Sequence, residues 1–321
     1  MIPHALLVGC IGEGVFRSID DGQTFVRAME GVSFVECDVR AMQVDANDPS
    51  RVLIGTEIGL WESRDGANTW SALPGPWEGR RLWSLLLQGS RILAGTSPAA
   101  IFRSEDGGKS WQPSAAKMIP DCPRIRHTRV TTLLADPHDP DHLWAGVEID
   151  GVHESRNGGR TWTRIGEGLL SQDIHALALT STDKGSPRLL ATTNRDLHDS
   201  LDSGQTWRPC QIDQVVPWNY TRGMMRSIDR PEVMFVGAGN GPPGSAGAVV
   251  RSCDGGRTWQ GWNLPWANST IWNFAVHSAD PRMIYASSVS GQLFRTLDGG
   301  DSWSKLDREF GEIRGLAWAP R

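Results

Sequence analysis

Short apolar runs alternate with turn-forming residues along the whole chain. The clearest stretch begins with Val39–Val44 (VRAMQV), which is followed by the turn Asp45–Pro49 (DANDP) and a second apolar run, Arg51–Thr56 (RVLIGT). Two further runs follow, Gly59–Ser63 (GLWES) and Thr69–Leu73. Short runs divided by Gly, Asp and Pro are typical of strands joined by tight turns. The pattern therefore predicts a meander of four antiparallel strands.

One turn sequence is found seven times along the chain. It reads Ser or Thr, any residue, Asp, two residues rich in Gly, any residue, Ser or Thr, and an aromatic residue. We call these segments the acidic turns: Ser18–Phe25, Ser63–Trp70, Ser104–Trp111, Ser155–Trp162, Ser200–Trp207, Ser252–Trp259 and Thr296–Trp303. Their acidic positions are 41 to 52 residues apart. A period of this size with strand-like flanks indicates a radial β array, so we predict an all-β, seven-bladed β-propeller of four-stranded antiparallel blades.

The two chain ends predict how the ring closes. The N-terminus begins at a second strand, Ala5–Gly9, whereas the C-terminal segment Ile313–Pro320 has the pattern of a first strand. The last segment is therefore expected to complete the first blade and to leave no open sheet edge. We predict one domain over residues 1–321, with blade one at 5–28 plus 312–320 and the other blades at about 36–73, 80–113, 128–165, 172–209, 220–262 and 270–306.

Each acidic turn has a structural explanation. The Asp carboxylate can accept hydrogen bonds from the backbone of its own turn, Gly supplies positive φ, and the indole can pack between neighbouring sheets. Individual copies vary, with Asn157 in place of Asp, Ala67 in place of Gly and Phe25 in place of Trp. Such variation favours a role in the fold over seven metal or catalytic sites.

Composition and charge restrict the class of protein. The net charge of −5 gives no general attraction for nucleic acid, and no apolar run approaches the roughly 20 residues of a membrane span. The five cysteines are scattered without a CxxC pair, which predicts reduced, buried thiols in a cytoplasmic protein. The first residues lack the basic start of a signal peptide. We expect a monomer without a cofactor.

The acidic turns resemble those of the Asp-box (BNR) repeat family of β-propellers, and the resemblance covers nearly all of the chain. That family includes sialidases, xyloglucan-cleaving glycosidases, the sortilin ectodomain and photosystem II stability/assembly factors, so the resemblance implies a fold but no single activity. The early Arg-Ile-Pro segment of the sialidases is absent here, and the xyloglucan-cleaving enzymes are usually built from two propellers. In size the chain is most similar to the single-propeller assembly factors, whose members bind rather than catalyse.

A ligand site is expected at the channel mouth opposite the acidic turns, because the variable loops lie there. Alignment of the repeats on their first strands places one residue of each blade at this mouth: Arg314, Arg40, Trp83, Thr131, His175, Arg222 and Trp272. Guanidinium groups bind anions as forks. We expect an anionic or sugar-like ligand, or a peptide, bound by Arg40, Trp83, Trp218, Asn219, Arg222, Trp272, Asn273 and Arg314. The alternative is a polar, water-filled channel whose charges cancel internally.

Two other functions remain open at this point. A hydrolase or lyase, above all a glycosidase, would need two facing carboxyl groups roughly 5 to 9 Å apart. The catalytic candidates are Glu57, Glu148, Asp150, Asp173, His175 and Tyr220. A protein-assembly scaffold is the other possibility. The Arg-rich mouth disfavours a metal dication, and the basic stretch Pro123–Arg129 (PRIRHTR) is interpreted as a solvated surface run.

Overall fold

The computed structural model describes residues 4–33, 38–123, 125–180, 188–264, 266–277 and 280–320. It is a seven-bladed β-propeller of four-stranded antiparallel sheets, which confirms the fold predicted from the repeat. The chain divides into two compact units. Unit one comprises Met1–Val147, His153–Thr163 and Phe310–Arg321, and unit two comprises Glu148–Val152 and Arg164–Glu309. The prediction of one domain, with its blade limits, stays a prediction, and residue 36, where blade two was expected to begin, lies outside the described residues.

The first three blades are formed as follows. Blade one consists of β1 (His4–Cys10), β2 (Gly14–Ser18), β3 (Val26–Arg27) and β30 (Ile313–Pro320). Blade two consists of β4 (Ala41–Val44), β5 (Val52–Gly55), β6 (Leu60–Ser63) and β7 (Ser71–Leu73). Blade three consists of β8 (Arg81–Gln88), β9 (Arg91–Ser97), β10 (Ile101–Ser104) and β11 (Gln112–Pro113). A small hairpin follows, β12 (Asp121–Cys122) and β13 (Arg126–His127).

The other four blades have the same order. Blade four consists of β14 (Val130–Ala135), β15 (Leu143–Val147), β16 (Gly151–Ser155) and β17 (Thr163–Ile165). Blade five consists of β18 (Ile174–Thr180), β19 (Arg188–Thr193), β20 (Leu197–Ser200) and β21 (Arg208–Pro209), and a 3₁₀ helix at Ile212–Gln214 follows. Blade six consists of β22 (Tyr220–Arg226), β23 (Met234–Gly239), β24 (Gly247–Ser252) and β25 (Gln260–Leu264). Blade seven consists of β26 (Ile271–His277), β27 (Asp280–Ser288), β28 (Gln292–Thr296) and β29 (Ser304–Glu309).

The C-terminal strand completes the N-terminal blade, as predicted. β30 pairs antiparallel with β1, with Leu7 opposite Ala317 and Leu6 opposite Trp318. The second strands are largely buried; all four residues of β5 are buried, for example. Apolar residues of adjacent blades fill the space between sheets in unit one, where Val39 and Ile54 share a cluster with Ala5. Among the described residues, no helix is both long and apolar enough to span a membrane.

Hydrogen bonds within the acidic turns account for their recurrence. In blade two, Asp65 Oδ1 accepts from Ser63 Oγ at 2.8 Å and from the Thr69 amide at 2.9 Å, while Oδ2 accepts from Thr69 Oγ1 at 2.7 Å. Ala67 takes the left-handed conformation with φ of 67°, at a position where other copies have Gly. The indole nitrogen of Trp70 donates to Ala28 O at 2.9 Å and so ties this turn to blade one.

Asn157 preserves this arrangement without a charge. Its Oδ1 accepts from the Thr161 amide at 3.0 Å, and its Nδ2 donates to Thr161 Oγ1 at 2.8 Å. In the charged copies, hydrogen bonds lower the pKa of the carboxyl group. The pKa of Asp20 falls to about 2, chiefly because the Thr24 hydroxyl and amide donate to it. The carboxylate oxygens of the acidic turns therefore accept hydrogen bonds from residues of their own turns.

The four described cysteines agree only in part with the sequence-based expectation. No described pair forms a disulfide, and Cys10 is buried. Cys253, however, is exposed, so the prediction of buried thiols is wrong for this residue. Its position explains the difference, because it is the second residue of an acidic turn and the side chain there is not covered by a neighbouring sheet. Cys37 lies outside the described residues.

Candidate functional site: an arginine-lined cavity in unit one

Trp83 is the centre of a group of arginines in unit one. The guanidinium carbon of Arg129 lies 4.5 Å from the centroid of the Trp83 ring, that of Arg40 lies 5.0 Å away and that of Arg314 lies 5.5 Å away. Guanidinium groups within about 6 Å of an aromatic ring centroid are attracted by the ring quadrupole. Trp83 therefore holds three cations together that would otherwise repel one another.

A β-bulge explains how the first strands present these side chains. Leu82 pairs with Thr96 and Ser84 pairs with Gly95, so Trp83 is the extra residue of β8. Arg314 is likewise the extra residue of β30, which pairs with β1. Among the described strands the same irregularity occurs at the predicted mouth position of other blades: Thr131, His175, Arg222 and Trp272. A bulge re-aims one side chain out of the sheet, and bulges are common next to functional sites. The pattern of residues in the sequence does not reveal these bulges.

Carboxylates form ion pairs with two of these arginines, Arg40 and Arg314. The Nε of Arg40 donates to Glu57 Oε2 at 2.8 Å, and its Nη2 lies 3.3 Å from Asp38 Oδ2. The side chain of Arg40 is only 14% exposed. Arg314 forms an ion pair with Glu312, in which Nε and Nη2 both contact Glu312 Oε1. The positions of both guanidinium groups are thus fixed by partners within the chain.

Glu57 is an ionised carboxylate that bridges two arginines. Its Oε2 accepts from Arg40 and its Oε1 accepts from Arg81. Burial alone would raise the pKa of Glu57, but the hydrogen bonds and charges of Arg40 and Arg81 outweigh burial and lower it. A general acid needs a raised pKa. Glu57, a catalytic candidate from the sequence, is therefore suited to positioning Arg40 and Arg81 and unsuited to protonating a leaving group.

A cavity of about 560 Å³ opens above Trp83. Glu57 is the one carboxylate among the described residues that line it. The walls also include Ser97 and Pro98 from the end of blade three's second strand, and Ile125 and His127 from the β12–β13 hairpin. Six arginines line the cavity: Arg40, Arg80, Arg81, Arg126, Arg129 and Arg314. A chain with a net charge of −5 therefore has a pocket whose described lining contains more arginines than carboxylates, and a local excess of one sign concentrates ligands of the other.

The hairpin supplies residues that the sequence analysis had assigned to a plain surface run. Arg126 and His127 belong to Pro123–Arg129, and together with Arg129 they line the cavity. Arg126 is exposed, as expected of a solvated run, but the run also contributes to the cavity wall. His127 Nδ1 lies 2.7 Å from Asp121 Oδ1 across the hairpin. The signal in the sequence was the high density of basic residues just before a first strand, which is the position of the mouth.

Two arginines at the rim of the cavity, Arg80 and Arg126, have no described carboxylate beside them to neutralise their charge. Arg80 lies with its guanidinium carbon 5.2 Å from the Phe102 ring centroid, and Arg126 is exposed. No carboxylate among the described residues pairs with either side chain. Arg126 also adopts φ of 67°, a left-handed conformation that is unfavourable for a side chain of this size. Residues held in such conformations cluster at ligand sites.

A second cavity of about 220 Å³ adjoins the same arginines. Arg40, Trp83 and Arg314 line both cavities. The remaining walls are uncharged, with Gln43, Ser84 and Thr132 beside apolar side chains such as Leu85. The Arg40–Trp83–Arg314 group thus belongs to both cavities and supplies the charged residues of the second one.

Unit two has its own cluster of predicted mouth residues. The Arg222 guanidinium carbon lies 4.2 Å from the Trp272 ring centroid, and its Nη1 donates to Tyr220 Oη at 3.2 Å. The rings of Tyr220 and His175 are 5.0 Å apart. His175 Nδ1 lies 2.6 Å from Thr221 O and must donate to it, and Nε2 lies 3.5 Å from Asp173 Oδ2. These candidates do come together, as a packed cluster.

Burial governs the protonation of this cluster. Desolvation lowers the pKa of His175, the charge of Arg222 lowers it further, and Asp173 opposes both. Desolvation raises the pKa of Tyr220, and Arg222 offsets part of that effect. His175 is neutral and Tyr220 is a phenol near neutral pH. The side chain of His175 is 1% exposed, so its ring is buried among neighbouring side chains.

The other sequence candidates of unit two have structural surroundings. Asp150 is buried and lies 3.5 Å from Arg164 Nε, and Glu148 is buried as well. Trp218 packs partly buried against the apolar cluster of blades five and six, whereas Asn219 is exposed. Asn273 Nδ2 donates to Ser287 Oγ at 3.0 Å. Across the described residues, no group of three or more His, Cys, Asp or Glu side chains could hold a metal ion.

Comparison with known proteins places this geometry in context. No family model matches the chain. A xyloglucanase of Paenibacillus sp is 22% identical over 330 residues, which is 88% of this chain and 28% of that protein. A solved GH74 xyloglucanase from Xanthomonas campestris has a TM-score of 0.69 at 16% identity, covering 99% of this chain and 52% of that one. YCF48 bound to D1 peptide has a TM-score of 0.59 at 16% identity, covering 88% and 93%.

The likeness is one of fold. At these identities the solved structures support the propeller architecture and carry no site residues across. The chain spans little more than a quarter of the Paenibacillus xyloglucanase. Proteins of this fold thus include xyloglucanases and a protein that has been solved with a peptide.

Proposed function

We propose that this chain is a binding propeller whose ligand carries at least two anionic groups and lies in the arginine-lined cavity of unit one. Six guanidinium groups line the cavity. The carboxylates of Glu57, Asp38 and Glu312 pair with three of them, those of Arg40, Arg81 and Arg314. No described carboxylate pairs with Arg80 or Arg126. Charge-assisted hydrogen bonds from guanidinium to carboxylate, sulfate or phosphate are among the strongest polar contacts. The excess of arginine over carboxylate is the observation that carries the proposal.

Arg80, Arg126 and the outer N–H groups of Arg40 are the donors assigned to the ligand. The carboxylates behind Arg40 and Arg314 use some of their N–H groups and set their orientation. Such fixed donors bind with little loss of side-chain entropy, which favours affinity. Trp83 acts as the support on which three of the guanidinium groups are arranged.

The glycosidase alternative is less well supported by this cavity. Hydrolysis of a glycosidic bond needs a carboxylic acid and a second carboxylate that face each other. Glu57 has a lowered pKa and is bridged by two arginines, and it has no carboxylate partner among the described lining residues. The xyloglucanase likeness is nevertheless a reason to include turnover in the test. The YCF48 likeness is a reason to include an acidic peptide.

The test is isothermal titration calorimetry of the full chain with citrate, an acidic peptide and a neutral xyloglucan oligosaccharide, at low and at physiological ionic strength. Citrate and the peptide should bind and should weaken with added salt, because screening acts on exposed charge pairs. Arg80→Ala and Arg126→Ala should each lower citrate affinity about fivefold, or about 1 kcal/mol, since both pairs are partly solvated.

The matched control is Arg64→Ala. Arg64 is 63% exposed, pairs with Glu62 in blade two and does not line the cavity. This variant removes the same charge and should leave citrate affinity unchanged. The proposal is wrong if citrate and the peptide fail to bind at low salt, if Arg64→Ala weakens binding as much as Arg126→Ala, or if the xyloglucan oligosaccharide is cleaved.

A further inference from the structure

The two adjoining cavities of unit one differ in the hydrogen bonds that they offer. The outer cavity presents guanidinium groups, which donate and cannot accept. In the second cavity Ser84 Oγ donates to Val130 O at 2.7 Å, and Gln43 Nε2 donates to Val44 O at 3.2 Å. These bonds use the Ser84 hydroxyl proton and one of the two N–H groups of Gln43, so the Ser84 oxygen and Gln43 Oε1 can accept hydrogen bonds and one Gln43 N–H can still donate.

The second cavity also has a limited size and a mixed lining. Its 220 Å³ corresponds to about seven water molecules, which suits a single ring rather than an extended chain. Met42, Leu85 and Leu133 provide apolar wall beside the acceptors. The described lining residues add no carboxylate, and the cations there are Arg40 and Arg314, which belong to both cavities. A group with hydroxyl donors and apolar faces therefore matches this lining, and an anionic substituent on it would lie beside Arg40 and Arg314.

We infer that the ligand is a sugar with an anionic substituent, bound with its phosphate, sulfate or carboxylate at the guanidinium groups and its ring in the second cavity. The inference rests on the proposed function and adds to it the class and the orientation of the ligand. A sugar ring combines hydroxyl groups at its edge with C–H faces, and so matches the lining. Arg40, Trp83 and Arg314 lie where the ring joins its anionic group.

Three phosphate compounds with one head group test this inference. Inorganic phosphate, glucose 6-phosphate and hexyl phosphate are titrated into the full chain by calorimetry at low ionic strength. Glucose 6-phosphate should bind about tenfold more tightly than inorganic phosphate, the gain of one or two net hydrogen bonds. Hexyl phosphate can contact the apolar wall but has no hydroxyl donors for Gln43 Oε1, so it should gain less affinity over inorganic phosphate than glucose 6-phosphate does.

A pair of glutamine variants locates the effect. Gln43→Leu keeps the size of the side chain and should lower the affinity for glucose 6-phosphate about fivefold while leaving that for inorganic phosphate unchanged. Gln88→Leu is the control, because Gln88 also donates to a backbone carbonyl, Pro140 O at 3.1 Å, on a first strand of unit one but lines neither cavity. It should change neither affinity.

The outcomes separate this inference from the proposed function. If inorganic phosphate does not bind at all, the proposed function fails. If it binds in an Arg126-dependent manner but glucose 6-phosphate gains nothing, or hexyl phosphate gains as much, only the sugar assignment is overturned. A phosphoserine peptide that matches glucose 6-phosphate and is equally weakened by Gln43→Leu would assign the second cavity to a peptide instead.

Discussion

Substitution of Arg126 by glycine should affect stability and binding in opposite directions. Arg126 has φ of 67°, in the left-handed region where a side chain costs about 1 to 2 kcal/mol. Glycine adopts this conformation freely but loses about 0.5 to 1 kcal/mol more backbone entropy on folding. The net change expected for Arg126→Gly is a free energy of unfolding that is higher by about 0.5 to 1 kcal/mol.

The same change removes one of the two rim guanidinium groups that no described carboxylate neutralises. Citrate affinity should fall about fivefold, because an exposed charge pair contributes about 1 kcal/mol at low salt. A residue that is merely structural would not combine higher stability with weaker binding. The left-handed conformation of Arg126 is therefore expected to lower the stability of the fold while it improves ligand binding.

Differential scanning calorimetry and citrate titration of the same samples provide the assay. The melting temperature of Arg126→Gly should rise by about 1 to 3 °C, given the size of the chain. Arg64→Gly is the control, since Arg64 does not have positive φ and lies outside the cavity. It should melt lower than the parent protein and bind citrate equally well. A lower melting temperature for Arg126→Gly, or unchanged citrate affinity, would refute the reasoning.

Three further predictions concern the support of the cavity and the fold. Trp83→Ala should weaken citrate binding and lower the melting temperature, because three guanidinium groups each lose a ring contact of about 0.5 to 1 kcal/mol. The control is Trp266→Ala, at a residue that is 61% exposed, which should change neither quantity in the same assays. Asp254→Asn should lower the melting temperature less than Asp254→Ala, because Asn157 shows that an amide can accept the turn's hydrogen bonds; equal losses by calorimetry would contradict this. Burial lowers the pKa of both His175 and His198 in the folded chain. As the pH drops from about 6.5 to 5, the unfolded chain binds protons at these residues more readily than the folded chain does, so the free energy of unfolding should fall. His175→Asn, whose amide can donate to Thr221 O, should flatten that pH dependence, and a flat melting profile in the parent protein would speak against it.

Much of the fold could be predicted from the sequence because one local pattern specifies one local structure. Each acidic turn satisfies its own hydrogen bonds, as in Ser63–Trp70, so its sequence signals a hairpin wherever it occurs. The complementary chain ends likewise predicted the pairing of β30 with β1. Such information is carried by residues close together in the chain.

The candidate site was predictable only in part because it depends on contacts between blades. Alignment of first strands named Arg40, Trp83 and Arg314, and the structure places these three around one ring. The lining residues Arg80, Arg81 and Arg126 were missed, because their role depends on how the loop before a first strand folds over the next blade. The ion pairs of Glu57 with Arg40 and Arg81 also join separate strands, so its lowered pKa had no signature in the sequence.

The central claim is that the arginine-lined cavity binds anionic groups. A crystal of the protein soaked in selenate, a dianion that anomalous scattering locates directly, tests it most simply. We expect an anomalous peak within hydrogen-bonding distance of the guanidinium groups of Arg80 or Arg126, which should disappear in crystals of a variant with both residues changed to alanine. Selenate bound only elsewhere on the molecule, or an unchanged peak in the double variant, would contradict the claim.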